Sequence, residues 1–332
     1  MNKKILAFFA LLVVGLFSSF TAPVFAQKTS VPSNEQSQSK CTGEKFVLPS
    51  SISIGNEAFA NYLKAASLPV KERRTVFSAL SNEEKANFFK IQYALQFIKR
   101  PNMTVEQRDF ILEAISKISP DLYDTNNVEK ARLSEQIGLE IESKAFGLFT
   151  PSEAGDILAA LFAKKDEDVV LLQKYENLLK NETKARKKIV REMLVNDRVN
   201  IWKTQLVYHL ATARLSKAQS EFIVEFLTTL SPAFFENAAN LTREESAKAL
   251  EILDKKILSV FSKSEAYAIF EELGIQKPVT NKTDNNLLAR PGECDCRWYC
   301  GPYNGTCGGG ACNIGTLDCG PAGTWLCYSK CG

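Results

Sequence analysis

Apolar side chains recur every three to four positions between residues 51 and 275, where glycine is scarce and no stretch alternates with a period of two. This spacing places the apolar residues along one face of a helix. We therefore predict an all-α body over this range. The segment before it, 27–50, is rich in Ser, Gln, Thr and Pro and predicts a flexible linker.

The helical body repeats itself at an offset of 112 to 114 residues. Three collinear blocks match at this offset: 87–92 with 200–205, 104–120 with 216–232, and 149–154 with 261–266. Such self-similarity is typical of duplicated helical units. We predict helical repeat 1 over 51–163 and helical repeat 2 over 164–275.

The matching blocks carry signals for helix ends. A hydroxyl residue followed three positions later by Gln or Glu has the spacing of a capping box, which marks a helix start. Pro151 fits the first position of its helix, and Ser119-Pro120 and Ser231-Pro232 predict helix stops. The capping boxes are Thr104 with Gln107, Thr150 with Glu153, Ser216 with Gln219, and Ser262 with Glu265. The predicted buried stripes are Phe110, Ile111, Ala114, Ile115 and Ile118, and their counterparts Phe222, Ile223, Phe226, Leu227 and Leu230.

Two features of the body could suggest chemistry, and we interpret both as structural. His209, the only histidine, flanks an apolar helix face, and the equivalent stretch 96–97 has none. The basic run 184–188 with Arg191 lies between Glu182 and Glu192, which favours a solvated helix face over an anion-binding surface.

Residues 1–26 have the pattern of a secretory signal peptide: a basic start, an apolar core and a small-residue end at Ala26. An uncleaved anchor would need a longer apolar run than this one. We expect a secreted protein, or a periplasmic one in a bacterium with two membranes. Export favours disulfide formation between clustered cysteines.

The C-terminal end has a different composition from the body. A polar linker is predicted over 276–293, and 294–332 is rich in glycine and poor in aliphatic residues. A segment of this kind cannot build a sufficient core and needs covalent cross-links. We predict a small disulfide-rich module in which eight cysteines form four bridges of unspecified pairing. They are Cys294, Cys296, Cys300, Cys307, Cys312, Cys319, Cys327 and Cys331.

Zinc is the competing interpretation of the cysteine cluster. The module has no histidine and no Cys-x-x-Cys pair, so we predict no metal site. Cys41 is the odd cysteine, and it is either free, intermolecular or paired within the tail. Aromatic residues of the module could pack against disulfides or form a rigid contact surface for a target. They are Trp298, Tyr299, Tyr303, Trp325 and Tyr328.

The module carries three motifs: Cys294-x-Cys296, Cys307-Gly-Gly-Gly-Ala-Cys312 and Cys319-Gly-Pro-Ala-Gly-Thr-Trp-Leu-Cys327. On these motifs, and on the block ending at 261–266, the chain resembles the bacteriocin fulvocin C-related proteins. The resemblance implies an exported precursor in which a helical region precedes a C-terminal cysteine-rich antibacterial peptide.

These observations lead to two functional expectations. The first is a secreted bacteriocin-like precursor whose tail acts on a bacterial membrane or surface target. The second is a secreted helical-repeat protein that binds a protein partner and keeps its cysteine-rich cap. We expect no enzyme, because the chain has no hydrolytic triad, phosphate loop or nucleophile elbow. We expect no cofactor, and the nearly balanced charge, +3 at pH 7, argues against nucleic acid.

Overall fold

The computed structural model describes residue 52, residues 57–124, 126–159, 166–270 and 273–274, and the backbone of 317–319 and 325–326. The predicted signal peptide, both predicted linkers and most of the cysteine-rich module lie outside the described residues. Within the described body the prediction of an all-α fold is confirmed.

The first half of the body contains seven α-helices and one 3-10 turn in the described residues. In chain order they are α1 (Glu57–Ala66), α2 (Val70–Ser78), α3 (Asn82–Ala94), α4 (Gln96–Lys99), α5 (Val105–Lys117), the 3-10 turn (Pro120–Tyr123), α6 (Val128–Leu148) and α7 (Pro151–Leu158).

The second half follows the same order. Its described helices are α8 (Asp166–Leu179), α9 (Thr183–Glu192), α10 (Val195–Thr212), α11 (Lys217–Thr229), α12 (Pro232–Ala239), α13 (Arg243–Val260) and α14 (Lys263–Phe270). Two short strands of the tail follow, β1 (Leu317–Cys319) and β2 (Trp325–Leu326). We call the two helical halves the first and the second copy.

All four predicted capping boxes are present. In each one, the hydroxyl oxygen accepts a hydrogen bond from the third backbone N–H of the helix, and the Gln or Glu side chain accepts from the capping backbone N–H. These contacts satisfy two amide groups that a helix start leaves without partners. Pro151 begins its helix as predicted.

The predicted apolar stripes form the core beneath α5 and α11. Every member is buried except Phe222, which is half-buried. The Phe222 ring still makes edge contacts with Phe261 and Phe270. The helical spacing of apolar residues therefore identified the buried face of both helices.

Equivalent helices of the two copies pack against each other. Helix α1 contacts α8, and α3 contacts α10, which is the most deeply buried helix of the described body. The contacts within each copy also repeat. Gln107 donates to the Leu148 carbonyl in the first copy, and Gln219 donates to the Val260 carbonyl in the second, which in both cases ties the start of one helix to the end of the next.

The copies differ after their Ser-Pro stops. Pro120 opens only a 3-10 turn, whereas Pro232 opens an α-helix of eight residues whose cap, Ser231, accepts from the Phe234 N–H. The residues after Pro120 include Asp, Thr and Asn, which compete with the backbone for hydrogen bonds, while those after Pro232 include three alanines. Composition thus explains why this element is longer in the second copy.

Candidate functional site

The tail forms an antiparallel strand pair in the only part of it that the structure describes. Leu317 lies opposite Leu326 and Cys319 lies opposite Trp325, with an irregular register between the two pairs. Cys319 and Trp325 are thus the predicted site residues whose backbone the structure places, and it brings them to one register position. The remaining predicted cysteines and aromatic residues lie outside the described residues.

This strand pair was not predicted from the sequence. The residues between the strands are Gly320, Pro321, Ala322, Gly323 and Thr324. A loop of three to five residues containing glycine, between two short β-prone runs, is a hairpin signal. That signal was present but weak, because each strand has at most three residues.

The strand pair lies against the second copy. Strand β1 contacts α9, and β2 contacts both α12 and α13. In the first copy, the counterpart of α13 is α6, which packs on the 3-10 turn, α5 and α7. Helix α13 likewise packs on α11 and α14, the counterparts of α5 and α7, and the strand β2 is an additional neighbour that α6 does not have among its described contacts.

Residues of α13 are more deeply buried than their counterparts in α6. Ser246 and Ala249 are buried, whereas their counterparts Ser134 and Ile137 are only half-buried. The Ser246 side chain is 1% exposed, and its hydroxyl has no hydrogen-bond partner among the described residues. Further along α13, burial raises the pKa of Asp254 to about 7. The first half of α13 is thus more deeply covered than that of α6.

Arg186 corrects one expectation from the sequence. It belongs to the basic run that we predicted to be a solvated helix face, yet it is 1% exposed. Its guanidinium donates to four backbone carbonyls, those of Leu179, Asn181, Leu273 and Gly274. Other members of the run fit the prediction better, since Lys188 is exposed. Two of the carbonyls belong to Leu273 and Gly274, so Arg186 anchors the C-terminal end of the described body.

The backbone at Gly274 requires a glycine. Its φ of +70° is rarely adopted by residues with a side chain, and an added Cβ would lie 2.3 Å from Leu179 Cδ2. The Gly274 N–H donates to Gln205 Oε1 at 3.2 Å. Gly274 is therefore held both by Arg186 and by the buried side chain of Gln205.

Gln205 and His209 form a buried polar pair in α10. Gln205 Oε1 accepts from the Tyr175 hydroxyl as well as from Gly274, so its amide nitrogen faces His209 Nε2 at 2.8 Å and the Ala268 carbonyl at 3.2 Å. Burial lowers the pKa of His209 to about 4. His209 is 2% exposed, and its Nδ1 has no hydrogen-bond partner among the described residues. A neutral, enclosed imidazole agrees with the structural interpretation of this residue.

The first copy carries an equivalent polar cluster, completed by the second. The Tyr62 hydroxyl contacts Gln92 Oε1 at 2.8 Å and Asp168 Oδ2 at 2.9 Å. Asp168, from α8, is 2% exposed, and its other oxygen lies 3.1 Å from Lys99 Nζ. At the offset of 113 residues, Tyr62 corresponds to Tyr175, and Gln92 to Gln205. Internal similarity in sequence had suggested a shared fold, and this shared hydrogen-bonded core was not foreseen.

The described body contains neither a cluster of metal-ligating side chains nor a helix that could span a membrane. Within the part of the chain that the structure describes, no cluster of His, Cys, Asp and Glu side chains could hold a metal ion. Among the described helices, none combines the length and apolar character needed to cross a bilayer. The predicted absence of metal, cofactor and enzymatic activity stays a prediction.

Comparison with family models, with curated proteins and with solved structures gives no match to this chain.

Proposed function

We propose that this protein is an exported, bacteriocin-like precursor in which the helical body carries a C-terminal, disulfide-stabilised antibacterial module. The module acts on a membrane or surface target of other bacteria. Export is expected to follow from residues 1–26, and the module comprises 294–332.

The observation that supports this proposal most strongly is that the helical body has an apolar core whereas almost all the cysteines lie in the tail. The described helical body, 57–274, buries an extensive apolar core and contains no cysteine. Eight of the nine cysteines lie in the last 39 residues, where apolar residues are few. A body held by burial and a module held by disulfides can be separated without either losing its own source of stability.

The contacts at the C-terminal end of the described body support the same division. Arg186 and Gln205 bind the last described residues of the body, so a cut in the predicted linker 276–293 leaves those contacts intact. We base the proposed antibacterial activity on the resemblance of the tail motifs to those of the fulvocin C-related proteins.

A second function is favoured by the position of the strand pair. Because β1 and β2 lie against helices of the second copy, the module can also serve as a cap that is never released. In that case the protein is a secreted interaction protein, and the helical copies contact a protein partner.

Mass spectrometry of the culture medium distinguishes the two functions. The intact masses are measured with and without reduction, for the full chain and for a matched strain in which the gene ends before Cys294. A released fragment that gains eight mass units on reduction, together with growth inhibition of related strains that the truncated strain lacks, is the result expected for the precursor. A medium that contains only the full mature chain and inhibits no related strain contradicts the precursor function and favours the unreleased cap.

A further inference from the structure

We propose that α9, α12 and α13 together form a binding surface, the module seat, which holds the cysteine-rich module through its strand pair and retains it after the linker is cut. The seat belongs to the second copy alone. Its occupant is residues 294–332 of the same chain.

The strand pair lies against three helices of the second copy. Strand β1 contacts α9, and β2 contacts α12 and α13, so each strand has a helical neighbour in that copy. An isolated two-stranded hairpin is at best marginally stable in water, and packing against a helix is one way to stabilise it. The described strands therefore gain stability from the seat in addition to that from disulfides.

The two copies differ at the element that follows the Ser-Pro stop. Both copies descend from one sequence pattern, but only in the second is the Ser-Pro stop followed by a full helix, α12. In the first copy the shorter 3-10 turn packs directly on α6. The second copy thus has an additional helix, α12, which contacts β2. The described part of the first copy has only a 3-10 turn at the equivalent position.

Burial along α13 agrees with the additional neighbour of that helix. Ser246 is 1% exposed, whereas the equivalent Ser134 is half-buried. Ala249 is also buried, and its counterpart Ile137 is half-buried. Helix α13 contacts β2, so the more deeply buried of the two equivalent helices is the one that the strand pair touches.

This inference deepens the proposed function, because a carrier that retains the module also delays its release after processing. It does not depend on antibacterial activity. An inactive module that still binds the seat would contradict the proposed function but not the module seat. An active module that never binds the body would contradict the module seat but not the proposed function.

Reduction of the full-length protein gives a direct test. All nine cysteines, the tail cysteines and Cys41, lie outside 57–274, so a reductant leaves the helical body chemically unchanged. Hydrogen exchange is measured on the oxidised and the reduced chain. We expect amides of α9 and of the first half of α13 to exchange about tenfold faster after reduction, since unfolding of the module uncovers them. Helix α6 is the internal control and is expected not to change.

A second experiment does not depend on disulfides. A protease site is introduced into 276–293 of the full chain, the linker is cut under native conditions, and gel filtration shows whether the module elutes with the body. We compare Ser246→Arg with the matched Ser134→Arg, and circular dichroism confirms that both variants remain helical. Retention by the unsubstituted protein and by Ser134→Arg, with loss in Ser246→Arg, is the expected result.

Two outcomes would overturn the inference. One is complete separation of the module from the unsubstituted body after the cut. The other is an exchange rate in α9 and α13 that is the same before and after reduction. If Ser246→Arg does not fold, both of these measurements on the unsubstituted chain still decide the question.

Discussion

Replacement of His209 by glutamine tests whether the buried polar core governs the acid stability of this protein. The first copy already has glutamine at this position, since Gln96 is the counterpart of His209 at the 113-residue offset. Gln96 is buried and donates to the Gln92 carbonyl at 3.1 Å. The same bond is available to a glutamine at 209, so we expect His209→Gln to fold with little loss of stability at neutral pH.

The expected effect is a change in the pH dependence of folding. Burial favours the neutral imidazole, so the pKa of His209 falls from 6.5 to about 4 in the folded protein. Stability from this group is complete above pH 6.5 and is lost as the pH falls toward 4, because the unfolded chain then binds a proton that the folded protein does not. The loss is about 2 kcal/mol at pH 5 and about 3 kcal/mol below both pKa values. Glutamine does not titrate, so its contribution to the unfolding free energy does not change with pH.

Urea unfolding of the full chain, followed by circular dichroism at pH 8 and at pH 5, measures this effect. Between these two pH values we expect the unfolding free energy of His209→Gln, relative to the unsubstituted protein, to rise by about 2 kcal/mol. A difference of this size corresponds to a shift of about 4–8 °C in melting temperature for a domain of this length. Other groups that titrate in this range contribute equally to both proteins and cancel.

A histidine at an exposed position is the matched control. The Lys217 side chain is 90% exposed, so Lys217→His adds a titrating group that stays hydrated in the folded protein. We expect the stability of this variant to follow the pH dependence of the unsubstituted chain. If His209→Gln also follows that dependence, His209 is charged or hydrated in the folded protein and the reasoning is refuted.

Three further substitutions test the body by chemical denaturation. Arg186→Met should lower the unfolding free energy by about 3 kcal/mol, because four carbonyls lose their donor. An equal loss in the exposed control Lys188→Met would contradict this. Gly274→Ala should cost about 2 kcal/mol through its positive φ and the contact with Leu179, whereas Gly138→Ala, with open space around it, should stabilise by about 0.5–1 kcal/mol. Thr242→Ala removes a capping box and should cost about 1 kcal/mol; no change would refute its role.

Helix starts were predictable because their chemistry is local. A capping box lies within four residues, so Thr104 and Gln107 identify the start of α5 without knowledge of any distant contact. The buried stripe of α5 was predictable for the same reason, since its period depends on helix geometry alone.

Distant contacts could not be predicted in this way. Arg186 lies in a run of basic residues with no apolar signal, and its burial depends on carbonyls 87 and 88 residues further along the chain. The polar core was missed for a related reason. Tyr62 and Asp168 are 106 residues apart, and their contact follows from the packing of α1 on α8.

For the candidate site, the sequence predicted only which residues form the module, from their composition, and not where the module lies. Cysteine spacing and glycine content marked out 294–332 as a separate module. The contacts of its strand pair with α9, α12 and α13 depend on how the second copy packs, and this packing has no signal in the module itself.

The dependence of Tyr62 and Lys99 on Asp168 has a consequence for synthesis of the protein. A nascent chain makes the helices of the first copy before the residue that completes their polar core has left the ribosome. Until α8 emerges, the hydroxyl of Tyr62 and the ammonium of Lys99 lack this carboxylate. The first copy therefore reaches its final packing only after the second copy has begun to form, although its own helices, with their local caps, can form earlier.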